Sequence, residues 1–494
     1  MIPRAPRPLD GLRVLDLSRA LSGPFAGRIL ADLGADVVKV ELPGADIAQT
    51  YGKMIRGRSG LYSQLNAGKR SIELDLRRPG DVARLLDLAA TCDVVVENFR
   101  PGVLDRFGAG WPALSAVNER LVMLSISGFG QDGPEAERAA YAPIIHAEAG
   151  LIGRQADVSG DAPADIALAL ADSLAGLHGT IAILAALRLR DRTGTGQHID
   201  VSMLDAMLAT DDYTHYSIDE HPIWPARGET WPAPGGPILI SSDRRHLWRQ
   251  LTTCFGVADP DPDAPLDDKL RARVKVITEW IACHQDRDSL KRDLEAARLA
   301  WAEIRHAGDV LASPSVAGRG TIVEVTDGDG ERRSVVRMPY RFSDATSGPA
   351  RGVPQTGEHT KEVLREWTGR ADLPDRSVGA YREVGIRRRT YGTVPAWLDQ
   401  RAGGFERPDL GGTEPEFFED LGVMLALTRR QLTPVGRHMV REVPRTARDL
   451  DLATRPVGHG PHRMPVACPV AVCELLDAAD PSGSDLGLVQ LGVE

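Results

Sequence analysis

Residues 14–41 read VLDLSRALSGPFAGRILADLGADVVKVE, and the fold class follows from their periodicity. The opening residues Val14 to Leu17 are a short apolar run, which predicts a buried strand. Phe25, Ile29, Leu30 and Leu33 recur at helical spacing after Pro24, and Gly34 stands where a helix C-cap favours a left-handed residue. Val37, Val38 and Val40 are β-branched and predict a second strand.

The alternation continues outward from this unit. Residues 82–90 read as a helix, residues 94–96 as a strand and residues 121–126 as another strand. Strands separated by helices place the chain in the α/β class, with a Rossmann-like large domain built on a mainly parallel sheet. A long helix is expected over residues 172–190. Its Ala175, Gly176, Gly179, Ala182, Ala185 and Ala186 make a face that lets another backbone come close. Thr193-Gly194-Thr195-Gly196 turns the chain into Ile199 and Val201. Residues 221–236 are dense in proline and glycine and predict irregular chain crossing between domains. Residues 265–310 read as largely helical, and residues 320–336 alternate like a hairpin around Asp327-Gly328-Asp329-Gly330.

The expected organisation is a large domain begun by residues 1–224, a smaller α+β domain at 225–330, a return to the large domain over 331–390, and a C-terminal extension at 391–494. In the extension, which is rich in Arg, Pro, Gly and Asp, only residues 417–427 are apolar enough for a helix. No internal repeat has solenoid spacing.

A chain of 494 residues exceeds one ordinary core. Hydrophobic residues at 42% and charged residues at 26% suit a soluble globular protein. The net charge of -10 argues against general affinity for nucleic acid or an anionic membrane, while leaving room for a local basic pocket. Residues 1–8 lack the apolar core of a signal peptide. No stretch reads as apolar over the roughly 18 residues that a membrane span requires. The five cysteines make no disulfide framework, and Cys468 and Cys473 have no second pair to complete a zinc site. The expectation is a cytoplasmic protein with reduced thiols.

Several chemistries are disfavoured by missing motifs. After the first strand, Ser18-Arg19-Ala20-Leu21-Ser22-Gly23-Pro24 has one glycine where a dinucleotide fingerprint needs three, although Glu41 ends the next strand as a ribose-binding acid would. GxxxxGK[ST], HExxH and GxSxG are absent. Asp172 opens the long helix in an Ala/Gly-rich setting, where Ala171 and Ala175 bring no charge. The helix dipole favours an ionised carboxylate there. Two roles are open to it, an ordinary N-cap or a carboxylate nucleophile.

Six punctuated segments remain: Gly34-Ala35-Asp36-Val37-Val38-Lys39-Val40-Glu41; Asn66-Ala67-Gly68-Lys69-Arg70-Ser71 with Leu74-Asp75-Leu76; Glu97-Asn98-Phe99-Arg100-Pro101-Gly102-Val103-Leu104-Asp105-Arg106; Ser127-Gly128-Phe129-Gly130-Gln131-Asp132-Gly133-Pro134; Ala171-Asp172-Ser173-Leu174-Ala175-Gly176; and Arg192-Thr193-Gly194-Thr195-Gly196-Gln197. In this order they resemble the class III CoA-transferase family of CaiB/BaiF type, which includes formyl-CoA transferase, carnitine CoA-transferase and the related α-methylacyl-CoA racemases. The resemblance runs from about Leu9 to about residue 388, with Gly357-Glu358-His359-Thr360 in its returning part.

The resemblance implies an acyl-CoA:carboxylate CoA-transferase in which Asp172 is the catalytic nucleophile, passing through aspartyl anhydride and aspartyl-CoA thioester intermediates. It implies coenzyme A contacts at Leu21, Ser22, Leu74, Asp75, Leu76, Arg77, Asn98, Phe99, Arg100, Arg106, Arg138, Ala139, Ala140 and Tyr141, with the four arginines serving phosphates. Asn98 and Phe99 follow directly on a strand, at the end where open parallel sheets bind ligands. Coenzyme A enters as a co-substrate, with no metal and no permanently bound cofactor. An interlocked homodimer is implied, with no nucleic-acid or membrane partner.

Three departures bear on the substrate. Leu21 stands where formyl-CoA transferase has a glutamine, Leu42 replaces a basic CoA contact, and Arg227-Gly228-Glu229-Thr230 shows no glycine-rich substrate loop. Two alternatives stand beside transfer. The racemases pair the aspartate with a histidine in a Gly-His-Asp-Ile-Asn-Tyr segment; here Ala140-Tyr141-Ala142-Pro143-Ile144-Ile145-His146 puts Tyr141 at that place. His146 lies five residues on and reads as a helix-packing or capping histidine. The other alternative is an inactive CoA-binding protein.

Overall fold

The structure, a computed structural model, describes residues 5–44, 46–218 and 228–369. Strand β1 (Arg13–Asp16), helix α1 (Ser22–Leu33) and strand β2 (Asp36–Glu41) form the βαβ unit expected of residues 14–41. Gly34 closes α1 at φ 114°, a conformation in which any Cβ would be strained. A short hairpin, β3 (Met54–Ile55) and β4 (Arg58–Ser59), leads through α2 (Gly60–Asn66) to β5 (Arg70–Glu73). Then follow α3 (Pro79–Ala89), β6 (Val94–Glu97), α4 (Val103–Arg106), α5 (Trp111–Val117) and β7 (Val122–Ser127). Helices α6 (Ala142–Glu148), α7 (Leu151–Ser159) and α8 (Leu170–Thr193) precede β8 (Gln197–Ser202) and α9 (Met203–Thr210).

Six of these strands make one sheet in the order β5-β2-β1-β6-β7-β8, and every pairing is parallel. β6 and β7 are buried along their whole length, as strands covered by helices on both faces must be. Succession runs outward from β1 in one direction and then from β6 in the other. That reversal leaves a crevice beyond the carboxyl ends of β1 and β6, where open α/β sheets bind their ligands.

Helix α8 is by length and composition alone long and apolar enough to cross a membrane, which the sequence reading had discounted. In the fold one face of it packs into the core. Its Ala171, Ala175, Ile183, Ala186 and Leu187 share a buried cluster with Val122, Leu124 and Ile126 of β7. Its glycines explain the close fit. A Cβ on Gly179 would meet Leu124 Cδ2 at 2.7 Å, and one on Gly176 would meet the Ser22 carbonyl oxygen at 2.7 Å.

After α10 (Thr214–Ile218), an antiparallel sheet forms in the order β11-β10-β9 from β9 (Glu229–Trp231), β10 (Ile238–Ile240) and β11 (Trp301–Glu303). Helices α11 (Arg244–Phe255), α12 (Leu266–Ala282) and α13 (Arg287–Ala296) pack on it around Trp231, Ile238, Leu251, Ile281 and Leu290. Irregular chain was expected over residues 221–236, but β9 lies within that stretch. Pairing with β10 and burial of Trp231 outweigh the proline and glycine around it; residues 221–227 lie outside the described residues. After α14 (Ala307–Leu311) and α15 (Pro314–Arg319), β12 (Ile322–Thr326) and β13 (Arg332–Val336) form the expected hairpin.

The chain then returns to the main sheet. His359 N–H donates to the Ser71 carbonyl at 2.8 Å, and Gly357 N–H to Ser71 Oγ at 3.0 Å. Helix α16 (Thr360–Thr368) lays Glu362 and Glu366 on the Arg70 guanidinium at 3.1 and 2.7 Å, beside Asp36. Of the cysteines, Cys92, Cys254 and Cys283 are free. The expectations for residues 391–494, the helix at 417–427, and Cys468 and Cys473 lie outside the described residues.

Candidate active site

The crevice begins with the turn between β1 and α1, which is held from below by buried charge. Asp16, at the end of β1, accepts from Ser18 N–H at 3.1 Å and from the Ser18 hydroxyl. Lys69, fully buried, reaches Asp16 Oδ2 at 2.7 Å, the Pro24 carbonyl at 2.9 Å and Asn66 Oδ1 at 2.9 Å. Burial pulls the Lys69 ammonium down to about 8 against the pull of Asp16, so it stays charged at neutral pH. Burial likewise opposes ionisation of Asp16, but Lys69 and Lys39 hold its carboxyl below the usual range. Lys39 binds the Ser18 carbonyl at 2.7 Å and Asp46 at 2.9 Å. Asp46 in turn accepts from the N–H of Ala20, a non-glycine residue at φ 62°. The strained turn is thus clamped on three sides, as functional loops commonly are.

From the neighbouring strand, Asn98 grips the same turn. Its Oδ1 accepts from Arg19 N–H at 2.8 Å, and its Nδ2 donates to the Arg19 carbonyl at 2.8 Å and to Ser22 Oγ at 3.1 Å. Phe99 is buried, with the Arg19 guanidinium 5.5 Å from its ring centre. Glu97 accepts from Phe99 N–H at 2.8 Å and bonds Ser125, whose hydroxyl lies 2.8 Å from His198 Nε2. Burial pushes the Glu97 carboxyl up to about 7.

Asp172 faces this turn from α8. The helix begins at Leu170, so Asp172 is its third residue, and Ala169 occupies the N-cap without a side-chain bond. The capping work is done by His146 of α6. Its Nε2 accepts from Ala171 N–H at 3.2 Å while Nδ1 meets Asp165 at 2.7 Å, the bonding pattern of a proton on Nδ1. Asp172 is therefore released from capping its own helix. Around its half-buried carboxylate lie the hydroxyl and N–H of Ser22 and the N–H of Ala142, donors belonging to α1 and α6. Burial raises its pKa to about 6 despite these donors. The sequence reading expected a carboxylate that the helix dipole keeps ionised; burial beside two neighbouring helices opposes that ionisation.

Nearly all the expected CoA-contacting residues follow the carboxyl ends of parallel strands, so they share one edge of the sheet. Leu21 and Ser22 follow β1, Leu74 to Arg77 follow β5, Asn98 to Arg106 follow β6, and Arg138 to Tyr141 follow β7. Their side chains differ in what they offer. Leu74 and Leu76 are buried, and Asp75 is engaged by Arg77 at 2.7 Å. Arg138 is paired with Glu135 at 2.7 Å and with Glu148, and lies over Phe129. Arg100 and Arg106 are exposed, the latter in the last turn of α4, and Ala139 and Tyr141 are exposed at the head of α6; Ala140 is half-buried. The sequence reading missed the Asn98 grip and the Lys69–Asp16 pair; His146, read as a helix-packing or capping histidine, does cap α8. Lys69 and Glu97 lay in quoted segments, but burial, the signal of their importance, emerges only in the fold. Among the described residues no group of three His, Cys, Asp or Glu side chains is placed to hold a metal ion.

A half-buried carboxylate with a raised pKa thus lies in the switch-point crevice of a parallel α/β sheet, and comparison with known proteins gives the family. The profile of CoA-transferase family III matches residues 9–360. The chain is 33% identical to a succinate–glutarate CoA-transferase of Agrobacterium fabrum, over 74% of this chain and 97% of that protein. It is 31% identical to the succinyl-CoA–L-malate CoA-transferase beta subunit of Chloroflexus aurantiacus, over 74% of this chain and 95% of that one. The crystal structure of a CaiB/BaiF family protein from Brucella suis superposes with TM-score 0.63 at 33% identity, covering 73% of this chain and 100% of that chain. The chain belongs to CoA-transferase family III.

Proposed function

We propose that the protein moves coenzyme A from an acyl-CoA to a carboxylic acid through covalent intermediates on Asp172. The observation that carries this reading is the carboxylate itself. It is excused from capping by His146 and enclosed beside Ser22 and Ala142, where burial raises its pKa to about 6. Asp172 attacks the donor thioester carbonyl, giving a mixed anhydride and CoA thiolate. The thiolate returns to the aspartyl carbonyl, giving an aspartyl-CoA thioester and free donor acid. The acceptor carboxylate attacks that thioester, and CoA passes to it through a second anhydride. The activities named for the relatives favour short dicarboxylic acids as donor and acceptor. Leu21 in place of glutamine and the β9 strand in place of a glycine-rich loop argue against a formyl/oxalate pair.

Two-base racemisation is less well supported, because both ring nitrogens of His146 are committed, to Asp165 and to Ala171. A homodimer is part of the proposal. Ile181 and Leu189 of α8 and Ile218 of α10 are exposed apolar side chains that a second copy would cover.

The test is Asp172→Asn, which keeps size while removing the nucleophile. Turnover of succinyl-CoA with glutarate should fall to background, with far-ultraviolet circular dichroism unchanged. In the native enzyme, acyl-CoA alone should build an adduct that hydroxylamine converts to a hydroxamate at Asp172. Comparable activity in the variant would sink the assignment.

A further inference from the structure

Helix α8 begins without a side-chain cap of its own, and its first turn distributes its N–H groups among different acceptors. Leu170 N–H donates to the Leu168 carbonyl at 2.8 Å, and Ser173 N–H to the Ala169 carbonyl at 3.1 Å. Between them Ala171, fully buried, sends its N–H to Nε2 of the equally buried His146 at 3.2 Å. A backbone N–H can only donate, so Nε2 must present a lone pair and the ring proton must sit on Nδ1. Asp165 fixes that choice. Its Oδ1 lies 2.7 Å from Nδ1 and also accepts from Ile166 N–H at 2.9 Å, which holds the carboxylate in place. A ring with its proton on Nε2, or on both nitrogens, would set donor against donor at Ala171. Asp165 comes from the loop before α8, His146 from α6 and Ala171 from α8 itself, and the chain they form ends one residue short of Asp172.

We infer that Asp165 and His146 are a positioning pair for the nucleophile: Asp165 selects the His146 tautomer whose Nε2 can accept, and that acceptor sets where the first turn of α8 holds Asp172. The inference rests on Asp172 being the nucleophile. Neither residue of the pair touches a reacting atom, and no proton moves through it. The reason for a cap supplied from another helix lies in the place of Asp172 itself. It is the third residue of α8, a position from which a side-chain acceptor commonly turns back onto the orphan N–H groups of its own first turn. A carboxylate drawn back in that way is lost to the crevice. The imidazole satisfies Ala171 N–H from α6, so that Asp172 is spared the task.

The experiment compares His146→Gln, His146→Asn, Asp165→Ala, the double variant His146→Gln with Asp165→Ala, and Asp172→Asn, all in the full chain. It measures kcat and KM for succinyl-CoA with glutarate, together with the melting temperature. A glutamine carries its amide oxygen to the place of Nε2, whereas an asparagine reaches only as far as Nδ1, so only the first can serve Ala171 N–H. His146→Asn should lower kcat by up to about 10²-fold, the scale of loss when a reacting group is misplaced by an ångström, with KM little changed. His146→Gln should recover most of that loss. Asp165→Ala lets the neutral ring exchange tautomers and should lower kcat by less; it also keeps the test decisive should His146→Asn fail to fold. Its loss should disappear in the double variant, where there is no tautomer to select. Equal kcat in the two His146 variants, or a fall in melting temperature with kcat unchanged, would overturn the inference. An Asp165→Ala loss that persists in the double variant would overturn it too, by making Asp165 a support of its own loop. An active Asp172→Asn would instead overturn the nucleophile, so the two failures are distinct.

Discussion

Among the described residues two carboxyl groups are raised by burial, Asp172 to about 6 and Glu97 to about 7, and they predict opposite kinds of behaviour. Asp172 must be ionised to attack, so kcat/KM should fall below about pH 6 with unit slope, read from initial rates across pH 5–8. Glu97 touches no proposed reacting atom, and its shift is a matter of stability. Its folded pKa exceeds the ordinary 4.5, so the folded state holds a proton that the unfolded state has lost. The stabilisation is present at low pH and is lost as pH rises through about 7. Glu97→Gln should therefore raise stability at pH 8 by on the order of 2–3 kcal/mol. Thermal unfolding at pH 5 and pH 8 would check it; a variant melting below the native protein at pH 8 would refute the account. Neither shift was legible in the sequence. The identity of Asp172 was readable from its segment, but its environment depends on Ser22 and Ala142, which lie 150 and 30 positions earlier in the chain.

At the scale of elements, local pattern carried far. The β1–α1–β2 unit, the boundaries of β6 and β7, and the β12–β13 hairpin lie within a residue or two of where periodicity puts them. The small-residue face of α8 was also legible, and the structure shows what it admits: the first turn of α1 at Gly176 and β7 at Gly179. Burial of β9 was not legible, because its partner strands lie across intervening chain. Gly176→Ala tests the contact that builds the site. Its Cβ would sit 2.7 Å from the Ser22 carbonyl oxygen and 3.0 Å from Phe25 Cδ1. Overpacking of that kind costs about 1–3 kcal/mol. The variant should melt lower and should lose more activity than its melting accounts for at assay temperature. A variant that melts lower but retains native kcat would detach this contact from catalysis.

For the whole molecule, the family profile ends at residue 360, and 74% of this chain matches the relatives over nearly their full length. Removing residues 393–494 should therefore leave CoA transfer and oligomeric state intact, measured by steady-state kinetics and light scattering. Loss of either would assign the extension a part in the enzyme. A last consequence comes from α16 lying against β5. The edge strand at residues 70–73 waits for residues 357–366, nearly three hundred positions later, to match Arg70 and cover Ser71. A nascent chain released from the ribosome at residue 218 would hold all six sheet strands yet present an open edge whose Arg70 keeps Asp36 but lacks Glu362 and Glu366, a template for pairing with another chain. Synthesis thus imposes a waiting period before the sheet is sealed. Refolding in the test tube should be slow and concentration-sensitive for the same reason, because closure depends on contacts remote in sequence.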